Sequence, residues 1–255
     1  MKRTSLSERQ LPSYTRGEEI FNMVSHIVGG ALGIAYLVLC VIMAAVHKSA
    51  IGVVSSTIYG ASVITLFTMS SVYHGVRPSM AKKVLQVIDH CTIYYMIAGT
   101  YTPIALCAVR SQNTAAGWTL FGLVWGVTAV AVTFTAIDLN KYRLFSMICY
   151  IGMGWCVVGF WKLTYAAITK WGAFWLILGG ILYTAGAVLY SLGKKKRYIH
   201  SIFHLFVNFA SLCHFFCIIC FSVYAHTTHG RLCLLQMLWL ICSQTLIQAR
   251  RLVYN

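Results

Sequence analysis

Apolar residues along the chain fall into seven long runs, separated by short joints that carry most of the charges. The runs cover residues 20–46, 51–74, 84–107, 116–137, 144–166, 173–193 and 199–225. Each run reaches the roughly 20 residues that a helix needs to cross the hydrocarbon core of a bilayer. The pattern therefore predicts an all-α polytopic membrane protein, a bundle of seven transmembrane helices.

The composition agrees, because 59% of the residues are hydrophobic and only 10% are charged, against about 25% charged in soluble domains. Alternate joints carry most of the cations: Lys2, Arg3, Arg9, Arg16, Arg77, Lys82, Lys83, Lys141, Arg143 and the block 194–197. The positive-inside rule therefore predicts a cytoplasmic N-terminus. The net charge of +15 lies in short blocks between apolar runs, which indicates topology, and no nucleic-acid partner is expected.

The charge and hydropathy pattern divides the chain into three parts. Residues 1–17 are predicted to be a cytoplasmic N-terminal segment, residues 18–225 the seven-helix domain, and residues 226–255 a C-terminal tail. The tail contains a Leu-rich run at 232–247 that is short for a membrane span. An interfacial helix or a loosely ordered tail is expected there in preference to an eighth span.

Two histidines open the last apolar run. His200 and His204 are four residues apart, a spacing that puts both imidazoles on one helix face, where they could bind one metal ion. Ionisable groups inside a membrane are costly, so they mark functional sites by default. The alternative is that the pair packs against its neighbours or faces the headgroups.

Two earlier runs carry polar residues at the same depth. Ser70 and His74 share a face near the end of the second run, and Asp89 lies in the first part of the third. At about 1.5 Å per residue, His74, Asp89, His200 and His204 all lie close to cationic joints on one side. Histidines that pack independently would have no reason to agree in depth. The agreement predicts an open zinc site with three imidazole ligands, in which Asp89 acts on a water and Ser70 hydrogen-bonds to the water or a substrate carbonyl.

A rival interpretation of the same residues needs no metal. In it, Asp89 pairs with a lysine or arginine at the membrane boundary and the histidines extend toward the interface.

The combined motifs resemble the hemolysin III family, the bacterial branch of the progestin and adipoQ receptor superfamily. They are Glu18-Glu19-Ile-Phe-Asn22-x3-His26, Ser70-x3-His74, Asp89-His90-x3-Tyr94, Ala98-Gly99-Thr100-Tyr101-Thr102-Pro103, Gly179-Gly180-x2-Tyr183-x2-Gly186 and His200-x3-His204. The resemblance covers about residues 15–225. It implies a seven-helix bundle in the bacterial cell membrane with a zinc ion near the cytoplasmic face. The implied ligands are His74, His200 and His204, and the family's serine and acidic residue fall on Ser70 and Asp89.

Three functional hypotheses follow. The first is a zinc-dependent hydrolase of a lipid amide or ester, in which Asp89 is the general base and Ser70 supports the developing oxyanion. The second is a non-enzymatic, receptor-like sensor with structural zinc, and the third is a cytolysin, as the family name implies. Membrane lipids are the expected partners, and no obligate protein partner is evident.

Several other polar residues are left with open or subordinate roles. His26, with Glu18, Glu19 and Asn22, either lies near the metal or helps to orient the start of the first helix. Asp138 is expected to be solvated. His90 is expected to pack against a neighbouring helix, and His214 to form a hydrogen bond between helices. Close helix approach is expected at three glycines: Gly179, Gly180 and Gly186.

Overall fold

The computed structural model of the 255-residue chain describes residues 4–192 and 196–219. Every regular element in this part is helical: α1 (Arg16–Val46), α2 (Ala50–Gly75), α3 (Met80–Pro103), a π-helical turn (Ile104–Val109), α4 (Arg110–Gln112), α5 (Thr114–Ile137), α6 (Arg143–Trp155), a 3-10 segment (Cys156–Phe160), α7 (Trp161–Leu192) and α8 (Ile199–Cys217). The predicted all-α class is confirmed. The end of the seventh apolar run and the tail 226–255 lie outside the described residues.

Within the described residues, six helices are long and apolar enough to cross a membrane, one fewer than predicted. The difference lies in the fifth of them, a continuous stretch of 49 residues from Arg143 to Ser191. If it were straight, this stretch would be about 74 Å long, more than twice the thickness of the hydrocarbon core.

The stretch is broken at Thr169, whose φ of 66° and ψ of 176° are not helical. Trp155 Nε1 donates a hydrogen bond to Thr184 Oγ1 at 3.0 Å across this break. In a straight helix these two residues would be about 43 Å apart. The chain therefore reverses at Thr169, and the two arms correspond to the predicted runs 144–166 and 173–193.

Helix contacts close the elements into a bundle. α1 packs on α2, α2 on α3, and α3 on both α5 and α6. α8 lies between α7 and α1: Tyr36 of α1 stacks on Phe215 at 4.3 Å between ring centroids. On the other side His214 Nε2 donates to the backbone oxygen of Leu176 in α7 at 3.3 Å. The predicted interhelical hydrogen bond of His214 is confirmed.

The start of α1 is fixed by a capping box. The Thr15 side chain accepts a hydrogen bond from the Glu18 backbone, and the Glu18 carboxylate accepts one from the Thr15 backbone N–H. This reciprocal pair satisfies two N–H groups that a helix start leaves free. The cap also sets the direction in which the next residue, Glu19, projects.

The chain before α1 lies against the loops at the same end of the bundle. The backbone N–H of Thr4 donates to Asp138 Oδ2 at 2.8 Å, and Lys83 Nζ donates to the backbone oxygen of Ser7. Asp138 is only 5% exposed. The expectation that it is solvated was wrong, because the N-terminal segment covers it and supplies a hydrogen bond to its carboxylate.

Candidate metal centre

Three histidines meet at the end of the bundle where α2 finishes and α8 begins. His74 lies in the last turn of α2, and its ring centroid is 5.5 Å from that of His200 and 4.9 Å from that of His204. One ring nitrogen from each of the three lies within 4.8 Å of the others. The structure thus brings together the residues that the sequence predicted to converge, and their role as ligands stays a prediction.

Glu19 of α1 holds the ring of His74. His74 Nδ1 is 2.6 Å from Glu19 Oε2, and an ionised carboxylate can only accept, so Nδ1 carries the hydrogen. His74 Nε2 is then the atom with the free lone pair, and it is buried with no hydrogen-bond partner. Carboxylates that fix the tautomer and orientation of a metal-binding histidine in this way are a common feature of metal sites.

Lys82 completes this arrangement from α3. Its Nζ donates to Glu19 Oε1 at 2.7 Å and to the backbone oxygen of Val76 at 2.9 Å. The sequence placed Lys82 among the cations of a joint, yet it is 2% exposed. Glu19 therefore joins α1, α2 and α3 through two charged contacts that no sequence motif had paired.

The two histidines of α8 contact each other directly. His200 Nε2 and His204 Nε2 are 3.0 Å apart, and His204 Nδ1 is buried without a partner. Around a tetrahedral zinc ion, two ligand nitrogens about 2.05 Å from the metal are roughly 3.4 Å apart. Three imidazoles gathered within 4.8 Å, two of them with an unpartnered buried nitrogen, fit such an ion after small adjustments of the rings.

A fourth histidine lies beside this cluster. The ring centroid of His26 in α1 is 3.9 Å from that of His204, and neither of its ring nitrogens has a hydrogen-bond partner. Asn22, one turn earlier, is fully buried with both side-chain polar atoms unpartnered. Of these residues Glu18 caps α1, whereas His26 lies beside the histidine cluster, and its role near a metal stays a prediction.

Asp89 and Ser70 face a cavity inside the bundle, which we call the inner cavity. Its volume is about 140 Å³, and Ser70, Asp89, His200 and His204 are among its lining residues. The rest of its wall is mostly apolar. The Ser70 hydroxyl lies beside the Asp89 carboxylate, so the two predicted catalytic residues share one wall with two of the predicted ligands.

His90 lines the inner cavity as well, but its ring is held by other contacts. Its Nδ1 donates to the backbone oxygen of Gln86 at 2.8 Å, and its Nε2 is 3.0 Å from the Tyr190 hydroxyl. Both ring nitrogens are used in contacts within α3 and with α7. The predicted packing role of His90 is confirmed.

A second, more polar cavity adjoins the first at the loop end of the bundle, and we call it the vestibule. Its volume is about 610 Å³, and it includes Tyr14, Arg143 and Arg197 in its lining. Tyr190 and His200 line both cavities. The histidine cluster therefore lies close to the boundary between an apolar and a polar space.

Tyr14, a residue without any predicted role, covers the cluster from the vestibule. Its ring stacks on His200 with 4.9 Å between centroids and lies 5.7 Å from His74. Burial raises the pKa of the Tyr14 phenol above its usual range, so the hydroxyl stays protonated. No periodic or spacing signal could have identified Tyr14, since it precedes the first helix.

The fold and the site together define a polytopic helical membrane protein with a cluster of buried histidines near one end of the bundle. A family described as haemolysin-III related matches residues 14–215. The chain is 36% identical over 202 residues to Hemolysin-3 of Bacillus cereus, covering 79% of this chain and 90% of that protein. It is 37% identical over 210 residues to the Hemolysin-3 homolog of Bacillus subtilis (strain 168), covering 82% and 97%.

A more distant relative is the human Monocyte to macrophage differentiation factor, 26% identical over 174 residues that span 65% of this chain and 69% of that protein. The chain belongs to the hemolysin III family, within the progestin and adipoQ receptor superfamily. It is a multi-pass protein of the cell membrane.

Proposed function

We propose that this protein is a zinc-dependent hydrolase that acts on an amide or ester of a membrane lipid. The observation that carries the proposal is the position of the histidine cluster, beside Asp89 and Ser70, where an apolar cavity adjoins a polar one. A lipid has the same division between chain and headgroup, and its amide or ester bond lies between the two.

In this proposal His74, His200 and His204 hold the ion, and Glu19 keeps His74 Nε2 free for it. Zinc supplies a Lewis acid that polarises a carbonyl and lowers the pKa of water. The remaining chemistry belongs to the cavity wall. The Asp89 carboxylate takes a proton from the attacking water, and the Ser70 hydroxyl donates a hydrogen bond to the oxygen on which charge develops.

The inner cavity favours a substrate with an apolar chain. Its volume of about 140 Å³ is close to that of a protein cavity that holds benzene, so a long chain requires some side chains to move. Met96 and Met147 line the cavity, and methionine side chains adapt readily to irregular ligands because they are unbranched. They are the lining residues best suited to make room.

The test is turnover of amide and ester lipids by purified, zinc-loaded protein, followed by mass spectrometry of the released fatty acid. Asp89→Asn is expected to abolish release while the zinc content stays at that of the wild type. Ser70→Ala is expected to slow release by about 10²-fold, the effect of losing one donor to an oxyanion. Full zinc occupancy without release from any amide or ester lipid would overturn the proposal.

A receptor-like sensor with structural metal is the second candidate. It is favoured by the way in which Glu19 and the histidine cluster connect α1, α2, α3 and α8. A purely structural ion predicts that Asp89→Asn has no functional consequence, whereas His204→Ala lowers thermal stability. The Asp89 variant therefore separates the two candidates.

A further inference from the structure

The vestibule contains cations that the proposed hydrolytic chemistry does not use. Arg143, Lys196 and Arg197 line it, and among the described residues of its lining Glu18 is the one carboxylate. Its volume of about 610 Å³ is within the range of roughly 300–1,000 Å³ that is usual for small-molecule sites. The balance of charge in this space is positive.

In the part of the chain that the structure describes, these cations make no ion pair at contact distance, although the charge of Arg197 acts on the nearby Glu18 carboxylate. No acidic group lies within 4.0 Å of Arg143, Lys196 or Arg197, and none of their side-chain nitrogens makes a hydrogen bond there. Glu18 is occupied elsewhere, because it accepts hydrogen bonds from the backbone N–H groups of Thr15 and Tyr198. The side-chain nitrogens of Arg143, Lys196 and Arg197 are therefore available as donors to an anion.

Two helix starts add to the positive potential. α6 begins at Arg143 and α8 at Ile199, and neither helix has a side chain that caps its first N–H groups. Both helices exceed eight residues, and uncapped N–H groups with the aligned peptide dipoles favour negative charge at such ends. Arg143 and His200, which belong to these first turns, line the vestibule.

A buried amide supplies an independent sign of a missing ligand. Gln86 of α3 lines the vestibule, is 7% exposed, and its Oε1 atom is buried without a hydrogen-bond partner. Buried side-chain amides are nearly always satisfied. A ligand that has both acceptor oxygens and a hydroxyl would satisfy the amide and the cations together.

From these observations we infer that the vestibule binds a lipid headgroup whose anionic phosphate or carboxylate meets the cations and whose hydroxyl donates to Gln86 Oε1. The shared wall at Tyr190 and His200 connects this headgroup site with the inner cavity for the chain. The inference deepens the proposed function, since it gives the substrate class as a lipid with an anionic headgroup. It is nevertheless tested by binding, which needs no turnover.

The experiment offers the purified full chain an equimolar mixture of phosphatidylglycerol and phosphatidylcholine and measures the retained lipid by native mass spectrometry. The wild type is expected to retain the anionic lipid at least about tenfold over the zwitterionic one, as charge-assisted hydrogen bonds would give. Arg143→Gln combined with Arg197→Gln is expected to lose this preference.

The matched control combines Lys141→Gln with Arg77→Gln. These two residues are exposed, lie in joints at the same end of the bundle and do not line the vestibule, so the control removes the same charge. It is expected to keep the preference of the wild type. An equal loss in both double variants, or no preference in the wild type, would overturn the inference.

A competition arm identifies the source of the anion. Displacement of phosphatidylglycerol by millimolar glycerol phosphate supports a site for the phosphate group itself, whether free or carried by a lipid. If phosphatidylglycerol stays bound in the presence of glycerol phosphate, the result supports recognition of the intact lipid. Because no arm measures hydrolysis, a failure of the hydrolase proposal leaves these results standing, and loss of anion preference leaves hydrolysis of uncharged lipids untouched.

Discussion

Glu19→Gln is the substitution that tests the candidate metal centre most directly. Glu19 accepts hydrogen bonds from His74 Nδ1 at 2.6 Å and from Lys82 Nζ at 2.7 Å, one with each carboxylate oxygen. Glutamine has the same shape but one acceptor oxygen. The glutamine oxygen can therefore accept a hydrogen bond from His74 Nδ1 or from Lys82 Nζ. The other of these two donors loses its hydrogen bond to residue 19.

The expected effects on metal binding and on stability have different origins. Loss of a carboxylate behind a metal-binding histidine costs about 10–100-fold in metal affinity, which is roughly 1.4–2.7 kcal/mol. Breaking a buried ion pair costs about 3–5 kcal/mol of stability. We expect a value below that range, since the Glu19 side chain is 20% exposed and water partly replaces the lost contact with Lys82.

Lys82→Met separates the two effects. It removes the buried cation and leaves the contact between Glu19 and His74 intact, so metal affinity should change less than about tenfold. The double variant Glu19→Gln with Lys82→Met should recover thermal stability relative to Glu19→Gln and should keep the weakened metal affinity.

The assays are chelator competition for zinc affinity and thermal unfolding in detergent for stability. Glu8→Gln is the control, because Glu8 is an exposed carboxylate whose side-chain hydrogen bonds within the described residues are made with Ser5. If Glu19→Gln binds zinc as tightly as the wild type, Glu19 does not orient a ligand, and the assignment of His74 to the metal fails.

Three further predictions concern packing, pH and metal removal. Gly179→Ala should destabilise the bundle by about 1–3 kcal/mol, because the added Cβ would lie 2.3 Å from the His214 ring. The Cβ of Gly180→Ala would meet only ordinary van der Waals contacts, so this neighbouring variant should leave the melting temperature nearly unchanged. Burial acts to raise the pKa of Asp138, but the hydrogen bonds from Thr4, Lys141 and Asn140 together outweigh it and leave the pKa lowered. The ionised Asp138 carboxylate should therefore stabilise the fold above its unfolded pKa of about 3.9, and this stabilisation should be lost as the pH falls through its folded pKa. Asp138→Asn at neutral pH should therefore speed proteolysis of the N-terminal segment, as acid should in the wild type. Chelation of zinc should lower the melting temperature, and added zinc should restore it. Bound zinc should stabilise the folded protein by about 2.7 kcal/mol when free zinc is 100 times its Kd. An unchanged melting temperature would contradict a zinc site.

The sequence predicted the parts of this protein that depend on local periodicity. Apolar runs gave the helical class, and equal depth in different runs brought together His74, His200 and His204. The count of spans differed only because the helical stretch continues through Thr169, where the chain reverses between the predicted runs 144–166 and 173–193. Of the glycines expected at close approaches, Gly179 fits and Gly180 does not, a difference set by helix rotation.

Pairings between distant polar residues were beyond the sequence. Glu18 and Glu19 are adjacent and alike in chemistry, yet one caps α1 and the other holds His74 and Lys82. Which of the two faces the bundle depends on where α1 begins, and that is fixed by Thr15. A single sequence states the residue types but leaves such a choice to the three-dimensional packing.

The polar groups buried near the histidine cluster differ in how far the protein itself satisfies them. The charged members, Glu19 and Lys82, satisfy each other and His74 Nδ1. Four of the buried atoms without a hydrogen-bond partner belong to His26, His74 and His204, whose rings lie close together, and others belong to residues in other parts of the bundle, such as Ser55 and Tyr59 of α2. Each buried polar atom without a partner costs about 1–3 kcal/mol of stability, and a single ligand can satisfy only those atoms that lie close together. One cation held by the clustered histidines would give a partner to some of these atoms, which would make metal binding and the stability of α1, α2 and α8 parts of the same equilibrium.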